Sequence, residues 1–337
     1  MKKSTLALLA AIFLFPLLGC SISLVGTPTP PAPFPGLSSP TQANTPATLI
    51  ASPTATPLVA PTATPLTPSP TVALPTVTNS PAPTVMPTAT STPSGPYAVI
   101  LVVADDVLNI RSTAGAGNPI IGTFSPTATN VMRTGPTAYV GADLWVEVQI
   151  PGGGTGWVNA HFLTEYVSPS AFCADGKVVP QVTKLGTAFT TANGDLLSSL
   201  VSPAHGMAVR YWRYYASAQN IFDPLHASAV FESTYSHNWG LAAGSGLPTE
   251  GSFHEVVLPK LLDVFNASYN LTCNTVQTGG ASYDTSWPAE YTNFNFYSVY
   301  RPGATGDELN WRTWLVGVEY IQGQPYVVAL IQFQWEP

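Results

Sequence analysis

The residues of this chain able to do covalent chemistry are few and widely spaced. There are three cysteines, at 20, 173 and 273, and five histidines, at 161, 205, 226, 237 and 254. No cysteine belongs to a C-x-x-C pair, and the histidines lack metal-ligand spacing. There is no H-E-x-x-H, no phosphate-binding glycine loop and no G-x-S-x-G. No catalytic residue, metal ligand or cofactor is therefore assigned. Two polar features remain. Glu319 falls inside a run that reads as a strand, on the face of Leu315, Gly317 and Ile321. A carboxylate there is expected to be buried and to need a cationic or hydrogen-bonding partner. Arg210, Arg301 and Arg312 are the candidates. His237-Asn238-Trp239-Gly240 reads as a glycine-rich loop, placing His237 and Trp239 on a possible pocket rim.

The elements that carry these residues are unevenly distributed. No Asp, Glu, Lys or Arg occurs from Ser4 to Ala104. Without Lys2 and Lys3 the chain has nine basic and 18 acidic side chains. That balance argues against nucleic acid as a partner, because phosphate backbones are held by positive patches. Lys2 and Lys3 precede an apolar stretch, Leu6 to Leu18, too short to span a bilayer and suited to a signal-peptide core.

That stretch ends in Leu17-Leu18-Gly19-Cys20, which resembles the lipobox of bacterial lipoproteins. The resemblance implies that residues 1–19 are removed and that the Cys20 thiol carries the lipid. The protein would then sit in the cell envelope, anchored to a membrane and facing its extracytoplasmic side. With Cys20 consumed, Cys173 and Cys273 are left as an even pair in an oxidising compartment, and a disulfide is expected. Residues 20–96 form a tether. The segment 27–95 holds 18 prolines among Thr, Ser and Ala, and proline removes the amide donor and blocks helix at the preceding residue. A long disordered Pro/Thr-rich linker is predicted.

Residues 97–166 read as five short strands separated by turn signals. Leu108-Asn109-Ile110-Arg111-Ser112, Pro119-Ile120-Ile121-Gly122-Thr123, Leu144-Trp145-Val146-Glu147-Val148, Gly156-Trp157-Val158-Asn159 and Phe162-Leu163 are similar, in order and spacing, to a bacterial SH3 (SH3b) domain. Thr113-Ala114 departs from that family's more usual Gly-Pro. Some members bind peptidoglycan peptides, so the resemblance implies a groove in which Tyr139, Trp145 and Trp157 are aromatic candidates. Each of the two tryptophans is equally readable as packing. Asn109 and Arg111 are expected to fix a turn.

Residues 173–337 read as helix (179–191), a short helix capped at Asp195, strands at 207–215 and 227–232, a helix opened by a Ser252/Glu255 capping box, and four strands ending at Trp335. Pro259 requires that helix to kink or to begin near Leu258. The order and lengths resemble the cone-shaped nuclear-transport-factor-like fold. The fold class expected is thus multidomain: a small all-β SH3-like barrel, then an α+β domain with a curved antiparallel sheet. Three functions fit. The first is a lipid-anchored envelope protein that binds cell wall or surface peptides and uses its C-terminal domain for recognition or assembly. The second is an envelope hydrolase or lyase acting on wall fragments. The third is a structural spacer.

Overall fold

The computed structural model describes residues 95–212 and 219–336. The proposed leader, Cys20 and the tether up to residue 94 lie outside the described residues. Strands β1 (Tyr97–Val99) and β7 (Leu163–Glu165) pair antiparallel. Between them lie β2 (Leu108–Arg111), β3 (Ile120–Phe124), β4 (Arg133–Val140), β5 (Asp143–Gln149) and β6 (Thr155–Asn159). These form a five-stranded antiparallel sheet in the order β3-β2-β6-β5-β4. Alternation decides its faces: Val146, Val148, Val158, Ile110 and Leu108 fill one core, while Trp145, Glu147 and Trp157 lie on the other side. At Gly156 a Cβ would stand 2.5 Å from the Ile110 side chain, so that crossing requires glycine. The 113–118 turn is tied by Asn118, whose Nδ2 donates to Ala114 O (2.7 Å), and by Arg111, whose Nη1 donates to Asn118 O (2.7 Å). Arg111 thus fixes a turn, as expected, and Thr113-Ala114 is accommodated.

The rest of the chain builds a six-stranded sheet with helices on one face. After α1 (Pro169–Ala174), α2 (Val178–Thr190) and α3 (Gly194–Leu200) come β8 (Met207–Arg210), β9 (Gln219–Phe222) and α4 (Pro224–Ala229). Next are the hairpin β10 (His237–Leu241) and β11 (Pro248–Gly251), then α5 (Leu258–Phe265). Strands β12 (Asn270–Cys273), β13 (Asn295–Arg301), β14 (Arg312–Ile321) and β15 (Gln324–Gln334) complete it. The order is β12-β13-β14-β15-β8-β9, antiparallel except where β15 runs parallel to β8. The expected sheet is therefore corrected in one respect, because the last strand returns beside the first strand of this sheet. Cys173 and Cys273 form a disulfide with Cα atoms 5.8 Å apart, joining α1 to β12.

Other expectations shift for local reasons. Residues 227–232 were expected as a strand, yet Asp223 caps the backbone N–H of His226 and Pro224 occupies the first turn, which starts α4 instead. The cap of α3 is Asn193 rather than Asp195. The Ser252/Glu255 capping box is present; a single π turn (Phe253–Val257) follows it, and α5 starts at Leu258 with Pro259 in its first turn.

Residues Arg312–Tyr320 are buried throughout, which follows from cover on both faces of β14. One face packs on Val182, Leu185, Phe189, Leu261 and Val264 of the helices. The other meets Phe294, Phe296, Ile331, Phe333 and Ile100. Ile100 belongs to this second core, while its neighbours Val99 and Val102 belong to the core of the five-stranded sheet. Between them Leu101 has φ 59°, and its N–H donates to Glu290 O (3.0 Å). Asn293 Nδ2 donates to Val99 O (2.7 Å), and Asn295 Nδ2 donates to Val167 O (2.8 Å). The two regions are therefore joined by one backbone hydrogen bond, two side-chain amide bonds to backbone carbonyls, and the insertion of Ile100 into the second core. Ile100→Ala should cost about 2–5 kcal/mol and leave a single unfolding transition. Tryptophan fluorescence and far-UV circular dichroism, followed through the same urea titration, check both expectations.

Candidate functional site

Glu319 is the side chain around which a polar cluster assembles. It is 2% exposed, on the face of β14 that meets β7. His205 Nδ1 lies 2.8 and 3.0 Å from its two oxygens. Ser202 donates its hydroxyl to Oε1, and Thr164, from β7, donates to Oε2 at 3.3 Å. His205 Nε2 is 3.0 Å from the carbonyl of His161. Both ring nitrogens of His205 thus face acceptors, an arrangement that a doubly protonated imidazolium satisfies fully. Burial works against charge on His205, but the hydrogen bond and charge of Glu319, together with the His161 carbonyl, prevail and hold its pKa above the ordinary 6.5. His161 moves the other way, lowered by burial and then by the neighbouring His205 charge.

The carboxylate is partnered as expected, but by His205 rather than by an arginine. Arg210 pairs with Glu290 at 2.7 Å, Arg312 with Asp263 at 3.4 Å, and Arg301 donates to Asn310 O at 2.7 Å. Serine, histidine and acid occur together here, yet their order is not that of a nucleophile relay. Ser202 Oγ bonds Glu319 and accepts the backbone N–H groups of Ala204 (3.1 Å) and His205 (3.0 Å), while His205 Nε2 is occupied by His161. The cluster is a clasp: Thr164 and the His161 carbonyl come from one side of the interface, Ser202, His205 and Glu319 from the other.

His205 and Glu319 also line a groove of about 750 Å³ between β4, β7 and the β14–β15 turn. Tyr139, 74% exposed, lies in the same groove. Of the sequence candidates, Tyr139 and Glu319 are therefore brought together, and the other four are not. Trp145 lines a separate groove of about 440 Å³ on the five-stranded sheet, with Asp106, Asp143, Asn109, Asn159, Phe162 and the aliphatic chain at 101–103. Its ring is 5% exposed, and its Nε1–H is buried without a hydrogen-bond partner among the described residues. Trp157 is half-buried on the outward side of β6, opposite Glu147, and lines neither groove. His237 lines a third pocket of about 420 Å³ with Phe222, Val230, Tyr235 and Phe253. Trp239 is fully buried, its Nε1 donating to Gly251 O at 2.9 Å, which makes it packing rather than rim. Burial and then the nearby His226 hold the His237 pKa below its ordinary value. Sequence reasoning missed Ser202, His205, Thr164 and Arg133. Only the Ser202-Pro203 stop after α3, with His205 following, offered a signal.

No protein-family model, no curated protein and no solved structure matches this chain.

The clasp has a defined pH sign. A histidine raised on folding contributes stability that is complete below its unfolded pKa, near 6.5, and lost as pH rises through the higher folded value. His161 and His237, lowered on folding, act oppositely, their contribution falling away as pH drops below 6.5. The urea midpoint should therefore decline above neutral pH in the wild type and decline less in His205→Gln. Glu319→Ala, which strands a buried imidazolium, should cost about 3–5 kcal/mol at pH 6. Urea titrations of both variants at pH 6 and pH 9 check these expectations.

Proposed function

We propose that this chain is a lipid-anchored envelope protein whose SH3-like barrel, residues 97–166, binds peptides of the cell wall or the surface. The α+β region, 173–337, then acts as the recognition or assembly module onto which that barrel is clasped. The Trp145 groove carries the reading. It is an open groove lined by the Trp145 indole, two carboxylates (Asp106 and Asp143), two amides (Asn109 and Asn159) and Arg111, whose Nη1 is committed to Asn118 O at 2.7 Å. Extended peptides are held by such a mixture, aromatic surface supplying area and amides meeting the peptide backbone. The carboxylates favour a ligand bearing an ammonium group, which wall stem peptides offer. The strand order with β15 beside β8 supports the cone-like reading of the second region. Lipid on Cys20 accounts for the uncharged, proline-rich stretch that separates the apolar leader from the first strand.

The test uses the whole chain, because residues 99–102 contribute to the cores of both sheets. Detergent-solubilised protein is sedimented with purified peptidoglycan. Retention of the wild type is expected, with retention by Asp106→Asn/Asp143→Asn reduced about tenfold or more, since hydrogen bonds to charged groups contribute roughly 1.5–3 kcal/mol each. Equal sedimentation of wild type and double variant, or none by either, refutes the assignment. Both aspartates are exposed, so the variant is expected to keep the wild-type melting temperature.

A further inference from the structure

The groove between β4 and the β14–β15 turn contains an arginine whose charge is not met by the protein. Arg133 has five N–H donors in a planar fork. Its one hydrogen bond among the described residues is a long one, Nη1 to the Tyr97 hydroxyl at 3.3 Å, and its Nε is buried without a partner. No carboxylate lies within 4.0 Å of it among the described residues, whereas Arg210 and Arg312 each have one. The guanidinium is nevertheless held in place, 5.1 Å from the centre of the Tyr97 ring. A guanidinium fixed on an aromatic face and short of acceptors is preorganised for a bidentate oxyanion.

The acids of the groove are already committed. Glu165 accepts the backbone N–H groups of Gln322 (2.6 Å) and Gly323 (2.9 Å) with one oxygen each. Glu319 is engaged by His205, Ser202 and Thr164. Neither turns an oxygen to Arg133 at ion-pair distance. The groove is about 750 Å³, far larger than a simple anion, and exposed Tyr139 stands within it as a surface for the remainder of a ligand.

We propose that Arg133 binds the free carboxylate of a wall fragment lying in this groove, with Tyr139 against the fragment's body. The wall origin of the fragment rests on the function proposed above; the carboxylate chemistry does not. Two sources carry such a group, the C-terminus of a stem peptide and the lactyl acid of a muramyl sugar. A long acidic polymer is disfavoured by the net acidity of the chain.

The experiment titrates the full chain in detergent, by calorimetry, with three probes: a stem-type pentapeptide ending in D-alanyl-D-alanine, the same peptide as its C-terminal amide, and N-acetylmuramic acid. The acid peptide is expected to bind at least about tenfold more tightly than its amide, the scale of a charge-assisted pair. Arg133→Met should erase that ratio and Arg133→Lys should restore part of it, with melting temperatures confirming that both variants fold. Muramic acid binding that is lost in Arg133→Met also supports the carboxylate site and assigns it to the sugar. Equal binding of acid and amide by the wild type, with no Arg133-dependent binding of muramic acid, overturns the proposal. So does an acid preference that survives Arg133→Met. Sedimentation with peptidoglycan separates the two readings. If the wild type sediments while Arg133 proves irrelevant, only the carboxylate site fails. If the acid preference depends on Arg133 but nothing sediments, the wall assignment fails.

Discussion

A carboxylate enclosed in a protein interior must be neutralised by groups that stay in place, and Glu319 imposes that requirement on this molecule. The groups that meet it, on β14, come from two other stretches: β7 and the turn after α3. None of these segments is near another in sequence, so the clasp forms only when the six-stranded sheet and the β1–β7 pair have both assembled against each other. Coulombic attraction alone would not hold such a pair out of water. The additional bonds from Ser202 and Thr164 satisfy the remaining lone pairs, and the His161 carbonyl satisfies the second nitrogen of His205.

The apolar counterpart of the clasp is the stretch from Val99 to Val102. Val99 and Val102 enter the core of the five-stranded sheet while Ile100 and Leu101 pack in the second core, and the left-handed residue Leu101 lets the chain turn between them while its N–H bonds Glu290 O. A non-glycine residue at positive φ carries a conformational cost. Here the cost is offset by the burial of Ile100 in the second core. Two grooves follow from this junction: one lies beside it on the five-stranded sheet, and one lies along the seam itself.

What was legible in the sequence was mostly what depends on short-range physics. The strands of the five-stranded sheet follow from alternation, and the capping box from Ser252 and Glu255. The burial of Glu319 was readable because its neighbours at i±2 and i±4 are apolar or glycine. Its partner was not. His205 lies more than a hundred residues away, and nothing local distinguishes it from the other four histidines. The strand expected at 227–232 gives way to helix because the Asp223 cap and Pro224 start α4 just before it. Trp145 and Trp157 share a face in the pattern, but only the three-dimensional arrangement shows that one floors a groove and the other does not. Arg133 passed unnoticed because its significance is an absent partner, and absence has no sequence signature.

The six-stranded sheet tapers. Its central strands β14 and β15 are ten and eleven residues long, while the outermost, β12 and β9, have four each. Short outer strands expose few unpaired amides, and β12 is further pinned at its end by the bond to Cys173. For molecules crowded side by side, this geometry leaves little at that edge for a neighbour's backbone to latch onto. The β12 edge of the six-stranded sheet thereby offers little to sheet growth between copies without spending charged residues on the task.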